Sequence, residues 1–226
     1  MMKKNLLLIL MCFVCGLVYA HDGLNFRNLD VKSGISDNYV RSVLRDRYGF
    51  MWFATLNGLN RYDGYQFKKY TTTQLGAYNN DIESIAEDAA GNIWIKGPVS
   101  YYIYDREQDK LENKIQPILN KYGITGEVSY LTVDKDYNLW CTVMDTLFHY
   151  DFTKNKLHTF QLPGKEKMQQ VVCRRSCAYL LFSNGEIARI DSNFQQIRPE
   201  TRRTLSSGLQ YNLYIDTVDR LWFYAS

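Results

Sequence analysis

Short apolar runs separated by clusters of Asp, Gly and Asn set the pattern of this chain. Val40-Arg-Ser-Val43-Leu-Arg-Asp46 is followed by Arg-Tyr-Gly49, then Phe50-Met-Trp52-Phe-Ala-Thr, Gly58-Leu-Asn-Arg-Tyr62-Asp63 and Gln66-Phe-Lys-Lys-Tyr70. Each run is short, rich in β-branched and aromatic side chains, and bounded by turn formers, which predicts strand, turn, strand, loop, strand, turn, strand. The same arrangement recurs down the chain. All four tryptophans, Trp52, Trp94, Trp140 and Trp222, stand six residues after an aspartate (Asp46, Asp88, Asp134 and Asp216). Three of them stand eleven residues before another, at Asp63, Asp105 and Asp151.

Counting back eleven from Asp191 gives Leu180, the anchor of a fourth unit whose tryptophan is replaced and whose aspartate slot holds Arg174. The anchors are then spaced by 42, 46, 40 and 42 residues, within the period of roughly 40–50 expected of a propeller blade. Nine residues before each anchor stand Val43, Ile85, Leu131, Val171 and Leu213, and ten after stand Tyr62, Tyr104, Tyr150 and Ile190. These apolar slots suit blades that stack face to face, each burying a surface it cannot bury alone. The predicted fold is all-β, a β-propeller of four-stranded antiparallel blades with about four and a half blades and an incomplete ring. The repeat units run approximately over residues 34–75, 76–118, 119–162, 163–203 and 204–226, the last stopping just after its anchor. Such a half-blade implies either the front of a longer protein or a truncated chain that closes by oligomerising or fails to fold well. The aspartate of each turn is expected to bond backbone amides, with Gly49 and Gly91 supplying positive φ. Tyr137 and Asp219 in that glycine slot predict less regular turns in the third and fifth units.

The amino terminus changes the compartment. Lys3 and Lys4, the apolar run Leu6 to Val18 and then Val-Tyr-Ala read as a signal peptide over residues 1–20, cleaved after Ala20, with residues 21–226 forming the partial propeller. The apolar run is shorter than the roughly 17–25 residues of a membrane span, so the expected product is periplasmic and carries no span after cleavage. Of 27 basic residues, two belong to the leader, which leaves 25 against 24 acidic ones and no electrostatic footprint for nucleic acid. Beyond the leader, Cys141, Cys173 and Cys177 are odd in number. They read as small buried strand residues, with a disulfide permitted by export but one thiol left over. His21, His149 and His158 are too scattered for a zinc site, and no phosphate loop or other cofactor motif is present, so no cofactor and no metal is expected.

The stretch Gly34-Ile-Ser-Asp-Asn-Tyr through Gly58-Leu-Asn-Arg-Tyr-Asp-Gly-Tyr-Gln-Phe-Lys-Lys-Tyr70 resembles the first blade of the two-component regulator propeller family. The likeness is strongest over residues 34 to 70, good around Ile82 to Asp105 and Val128 to Asp151, and weak in the fourth unit. It implies the periplasmic sensor region of a hybrid two-component system, with oligosaccharides released from a polysaccharide as the ligand class. In that family the propellers precede an immunoglobulin-like domain, a membrane helix, a kinase core, a receiver domain and a DNA-binding module, none of which is in this sequence.

The repeated Asp and Trp residues read as structural anchors: Asp46, Trp52, Asp88, Trp94, Asp134, Trp140, Leu180, Asp216 and Trp222. Polar and aromatic residues outside that frame are better ligand candidates. If the strand before each aspartate is innermost, one face collects Asp37, Asn38, Tyr39, Asn57, Tyr78, Asn79, Asn80, Asp81, Lys96, Asp145 and Asn184. Such groups hydrogen-bond hydroxyls and stack sugar rings from loops on a rigid scaffold, or are ordinary loop chemistry. The expected function is non-enzymatic sensing of an oligosaccharide, by an intact module or a truncated remnant. Its further partners would be the remaining blades of a longer chain or a second copy in a homodimer. The alternatives are an exported propeller lyase or hydrolase using a carboxylate or His149 near the central channel, and a structural protein-interaction ring.

Overall fold

A computed structural model describes residues 26–162, 167–174, 177–190, 197–201, 211–218 and 220–225. The expected leader and Asp219 lie outside the described residues. Among the described residues, eighteen strands form five antiparallel sheets. The first sheet holds β1 (Val40–Arg45), β2 (Met51–Thr55), β3 (Gly58–Tyr62) and β4 (Phe67–Tyr70), each within a residue or so of its sequence expectation. The second holds β5 (Ser84–Glu87), β6 (Ile93–Lys96), β7 (Tyr101–Asp105) and β8 (Lys110–Glu112). The third holds β9 (Val128–Val133), β10 (Leu139–Val143), β11 (Thr146–Asp151) and β12 (Lys156–Gln161). The fourth holds β13 (Met168–Arg174), β14 (Cys177–Phe182), β15 (Ile187–Ile190) and β16 (Ile197–Thr201). The fifth is the pair β17 (Tyr211–Ile215) and β18 (Leu221–Ala225). Within each sheet the strands neighbour one another in sequence order, as in the blades of a propeller. The first strands touch from blade to blade, β1 with β5, β5 with β9, β9 with β13 and β13 with β17. That places them innermost, around the axis.

Four hydrophobic layers lie between consecutive blades. Trp52, Leu59 and Tyr70 of the first blade pack on Ile85, Ile95 and Tyr104 of the second. Trp94 and Ile103 pack on Leu131 and Cys141, Trp140 and Leu147 on Val171 and Leu180, and Leu181 and Ile187 on Leu213. The strand period of two explains why both faces are apolar: alternate residues of one strand serve the blade before and the blade after. The outer faces of the two end blades lack this cover. Val43 is 53% exposed where its counterpart Leu131 is 5%, and Trp222 is 49% exposed where Trp52 and Trp140 are fully buried.

Two details depart from the repeat arithmetic. The 46-residue spacing between Trp94 and Trp140 accommodates a short helix α1 (Gln116–Lys121), started at Pro117, whose Leu119 is buried beside Ile124 in the layer between blades two and three. The second concerns the fourth blade. Trp52 pairs with Leu44 and Arg61, Trp140 with Thr132 and His149. In the fourth blade the residue in that register is Tyr179, paired with Val172 and Arg189, whereas Leu180 sits opposite Val171 and Ala188. Leu180 is therefore a fully buried core residue facing the third blade, not the equivalent of the tryptophans. Without an aspartate to hold a longer turn, the β13–β14 ladder runs on to an Arg174–Cys177 pair. The strand slips by one residue, and the β14–β15 connection absorbs the slip.

Candidate functional site

The two ends of the strands carry different chemistry. The Asp-Trp frame closes one end. In every tryptophan-bearing blade, one carboxylate oxygen accepts the indole N–H, at 2.9 Å for Asp46, 2.8 Å for Asp88 and Asp134, and 2.9 Å for Asp216. The other oxygen accepts backbone amides of the turn, those of Tyr48 and Phe50 at Asp46, and of Asp136 and Asn138 at Asp134. The carboxylate thus ties the β-turn to the blade core, and a charged group so bonded is tolerable in a buried place. Burial, with a smaller contribution from the Asp136 charge, pushes the Asp134 carboxyl up from its ordinary value, while the Trp140 and amide hydrogen bonds work against it.

The expected irregularity of the third turn is corrected. Tyr137 takes φ 63°, close to the φ 90° of Gly49 and φ 88° of Gly91. The turn keeps the same backbone bonds, Tyr137 N–H to the Asp134 carbonyl at 3.1 Å against 2.9 Å for Gly49 to Asp46. The carboxylate and ladder impose the left-handed conformation whichever residue occupies it.

At this end the blades are also clamped by charge. Arg47 reaches across to Glu87 at 2.9 Å and to the Asp88 carbonyl at 2.6 Å, while Arg106 meets Asp46 and Glu87 and lies 4.4 Å over the Tyr48 ring. On the outer strands, Asp109 accepts from Lys68, Arg61, Tyr70 and Tyr104. Partial burial raises that carboxyl, but these donors overcome it and hold it well below the usual carboxylate range.

The eleven candidate residues lie beside the starts of β1 and β5 and at the hairpins following β2, β6, β10 and β14, which is the other, entrance end of the strands. Their side chains are mostly committed. Asp37, Asn38, Asn79 and Asn184 accept backbone amides of Tyr39, Val31, Asp81 and Glu186. Asn80 accepts from Thr72 and Thr73 and approaches Asn57 at 3.5 Å. Asp81 pairs with Arg41 of the first blade at 3.2 Å, and Lys96 with Glu83 at 2.7 Å. Asp145 contributes its carbonyl to Leu162 and Gln161. Tyr39 and Tyr78 are exposed. The structure brings together Asn57, Asn79, Asn80, Asp81 and Arg41, whereas Asp145 and Asn184 sit on the third and fourth blades.

Two clefts open at the aspartate end. A cleft of about 470 Å³ between blades three and four is lined by Lys135, Asp136, Tyr137, Thr153, Lys154 and Cys173, with Trp140 and His149 behind them. A second, of about 520 Å³, lies across Tyr137 and is lined by Arg45, Arg47, Glu87 and Ala89. Sequence reasoning missed both, although Tyr137 in a glycine slot was a usable signal. His149 does not reach the central channel: it lies on the third strand of its blade, stacked on Trp140 at 4.0 Å and 1% exposed. Burial, helped by His158, lowers its imidazole to about 4, so it is neutral at neutral pH. Among the described residues, no group of three or more His, Cys, Asp or Glu is placed to hold a metal ion, and no helix is long and apolar enough to cross a membrane.

A family model described as "Two component regulator propeller" matches residues 34–57, so the first blade carries a repeat of that family. The fold is similar to the extracellular domain of a hybrid two component system from B. thetaiotaomicron, with TM-score 0.59 and 21% identity over 87% of this chain and 29% of that one. It is also similar to PorZ, a surface component of the type-IX secretion system of Porphyromonas gingivalis, with TM-score 0.56 and 11% identity over 86% and 28% of the two chains. Virginiamycin B lyase of Staphylococcus aureus gives TM-score 0.52 and 14% identity over 82% and 62%. The chain therefore spans less than a third of the first two relatives and under two thirds of the third. At these identities the likeness establishes the propeller fold. No curated protein matches the chain at a comparable level.

Proposed function

We propose that the chain is the ligand-sensing propeller segment of an exported two-component signalling protein, that its ligand is an oligosaccharide, and that it performs no chemistry on that ligand. The observation that carries this reading is the family repeat at residues 34–57, which supplies β1 and β2 of the first blade. A propeller by itself hosts many activities, and the likeness to a lyase keeps catalysis in view as the competing reading. Against catalysis stand the roles of the groups available. The aspartates of the turns are committed to indole and amide donors, and His149 is sealed beneath Trp140 with its imidazole neutral. The periplasm is the compartment that fits both the leader-like amino terminus and the extracellular relatives.

Isothermal titration of the purified chain with defined oligosaccharides, followed by chromatography of the incubated sugar, tests the reading. Saturable binding with unchanged sugar is the expected result. Sustained formation of shorter or unsaturated products would overturn it in favour of an enzyme.

A further inference from the structure

We infer that Tyr137 is a saccharide-stacking platform, and that the cleft between blades three and four beside it is a carbohydrate subsite. The inference rests on the sensor reading for its ligand class but not for its location. Blades one and two place glycine at the third position after the turn aspartate, and the third blade places Tyr137 there at φ 63°. An L-residue in the left-handed region carries a steric cost that glycine avoids. Packing does not offset that cost, because Tyr137 is 56% exposed. A strained residue whose ring serves no core points to a use for the ring itself.

Its surroundings fit that use. The Tyr137 carbonyl accepts the Ala89 N–H at 3.0 Å, so the backbone under the ring is fixed against the second blade. The ring stands on the ridge between the two clefts, and the larger group of polar side chains lies in the one toward blade four, with Lys135, Asp136, Thr153 and Lys154. A volume of about 470 Å³ lies within the usual range for small-molecule sites. The lining offers donors and acceptors together. Among the described lining residues, Asp134, Asp136 and Asp151 outnumber Lys135 and Lys154, so these side chains do not select a phosphate or sulfate. A neutral sugar has what this surface complements: a C–H face for an aromatic ring, and hydroxyls that both donate and accept.

The test titrates the chain with cellohexaose, maltohexaose, xylohexaose and mannohexaose, by calorimetry and saturation-transfer NMR. It compares the parent with Tyr137→Gly, Tyr137→Phe, the exposed-tyrosine control Tyr65→Ala, and the entrance-end pair Tyr39→Ala/Tyr78→Ala. Expected is loss of at least about tenfold in affinity for Tyr137→Gly, with Tyr137→Phe and Tyr65→Ala within about twofold of the parent. The melting temperature of Tyr137→Gly should equal or exceed that of the parent, because the strain is relieved, so weak binding cannot be ascribed to unfolding. Parent-like affinity in Tyr137→Gly overturns the inference. If the entrance-end pair then loses binding, the sensor reading survives with its site at the other end. A parent chain that binds none of the four sugars overturns both the subsite and the ligand class of the sensor reading.

Discussion

Replacing Asp88 tests whether the aspartate-tryptophan clasp is a main support of the blade or merely a recurrent turn. Asp88 is fully buried, and its carboxylate accepts the Trp94 indole at 2.8 Å, the Asn92 side-chain amide at 2.8 Å and the Asn92 backbone amide at 2.9 Å. Asp88→Ala removes three charge-assisted hydrogen bonds and leaves the buried indole N–H without an acceptor. Each charge-assisted bond is worth about 1.5–3 kcal/mol, and an orphaned donor costs about 1–3 kcal/mol. Because the Asn92 donors can relax toward solvent, the net loss should be about 3–5 kcal/mol. For a chain of this size that is a fall of about 10 °C in melting temperature. Asp88→Asn should be almost as damaging, since an amide keeps only one acceptor oxygen and must turn its NH₂ toward either the indole or the turn amide. The internal control is Asp216→Ala, which removes the indole bond, the turn-amide bonds and an Arg220 ion pair from a clasp whose Trp222 is half exposed, so water replaces the carboxylate and little stability is lost. The assay is urea and thermal denaturation by circular dichroism on the parent and the three variants. If Asp88→Ala and Asp216→Ala melt alike, burial of the clasp is not what gives it its strength, and the reasoning fails.

Three other outcomes follow from the same burial. His149 has its imidazole lowered to about 4 from an ordinary value of 6.5. The unfolded chain binds the proton first as pH falls, so stability present above pH 6.5 should drop by about 3 kcal/mol between pH 6.5 and 4. His149→Phe should remove most of that slope in denaturation curves taken across this range. Burial pushes the Cys141 thiol up to about 12. Its alkylation by iodoacetamide at pH 8 should therefore track unfolding and be negligible in the native chain, as read by peptide mass spectrometry. Val43 and Leu131 occupy the same repeat slot, one exposed on an end face and one buried between blades. Leu131→Asp should unfold the chain or cost at least about 3 kcal/mol, while Val43→Asp should leave the urea midpoint almost unchanged.

The repeat made most of the fold legible, because its signals come from residues with few alternatives. A tryptophan that must lie between two sheets, and an aspartate that must close a tight turn, keep a fixed separation wherever the blade geometry is kept. Val43, Ile85, Leu131, Val171 and Leu213 could be aligned for the same reason: the innermost strand has one face toward each neighbour. What the sequence hid were compensating changes. In the fourth blade the connection before β14 is one residue shorter and the connection after it one longer. The count from Val171 to Ile190 is thus unchanged, and Leu180 mimics an anchor while Tyr179 holds the register. Only hydrogen-bond pairing separates these readings, since a one-residue slip exchanges the faces of a strand whose residues are apolar on both.

The site was less legible than the fold for a related reason. Asp37, Asn38, Asn79 and Asn184 were attractive as sugar ligands because they are polar and lie on one face. Those properties are equally what a chain needs to satisfy its own turn amides, and that is where their acceptors are spent. Tyr137 carried the opposite signal, an aromatic where the turn calls for glycine. Its value became visible only when the turn proved regular: had the backbone relaxed around the tyrosine, the substitution would have been a local irregularity. Because the Asp134 carboxylate and the Ala89 N–H hold the turn in its left-handed form, the backbone that carries the ring is held between two clefts. An aromatic on a held backbone has only two side-chain torsions to lose when a ligand stacks on it. Residues that break a repeat's local rule while the repeat's geometry persists are therefore the ones to probe first for binding.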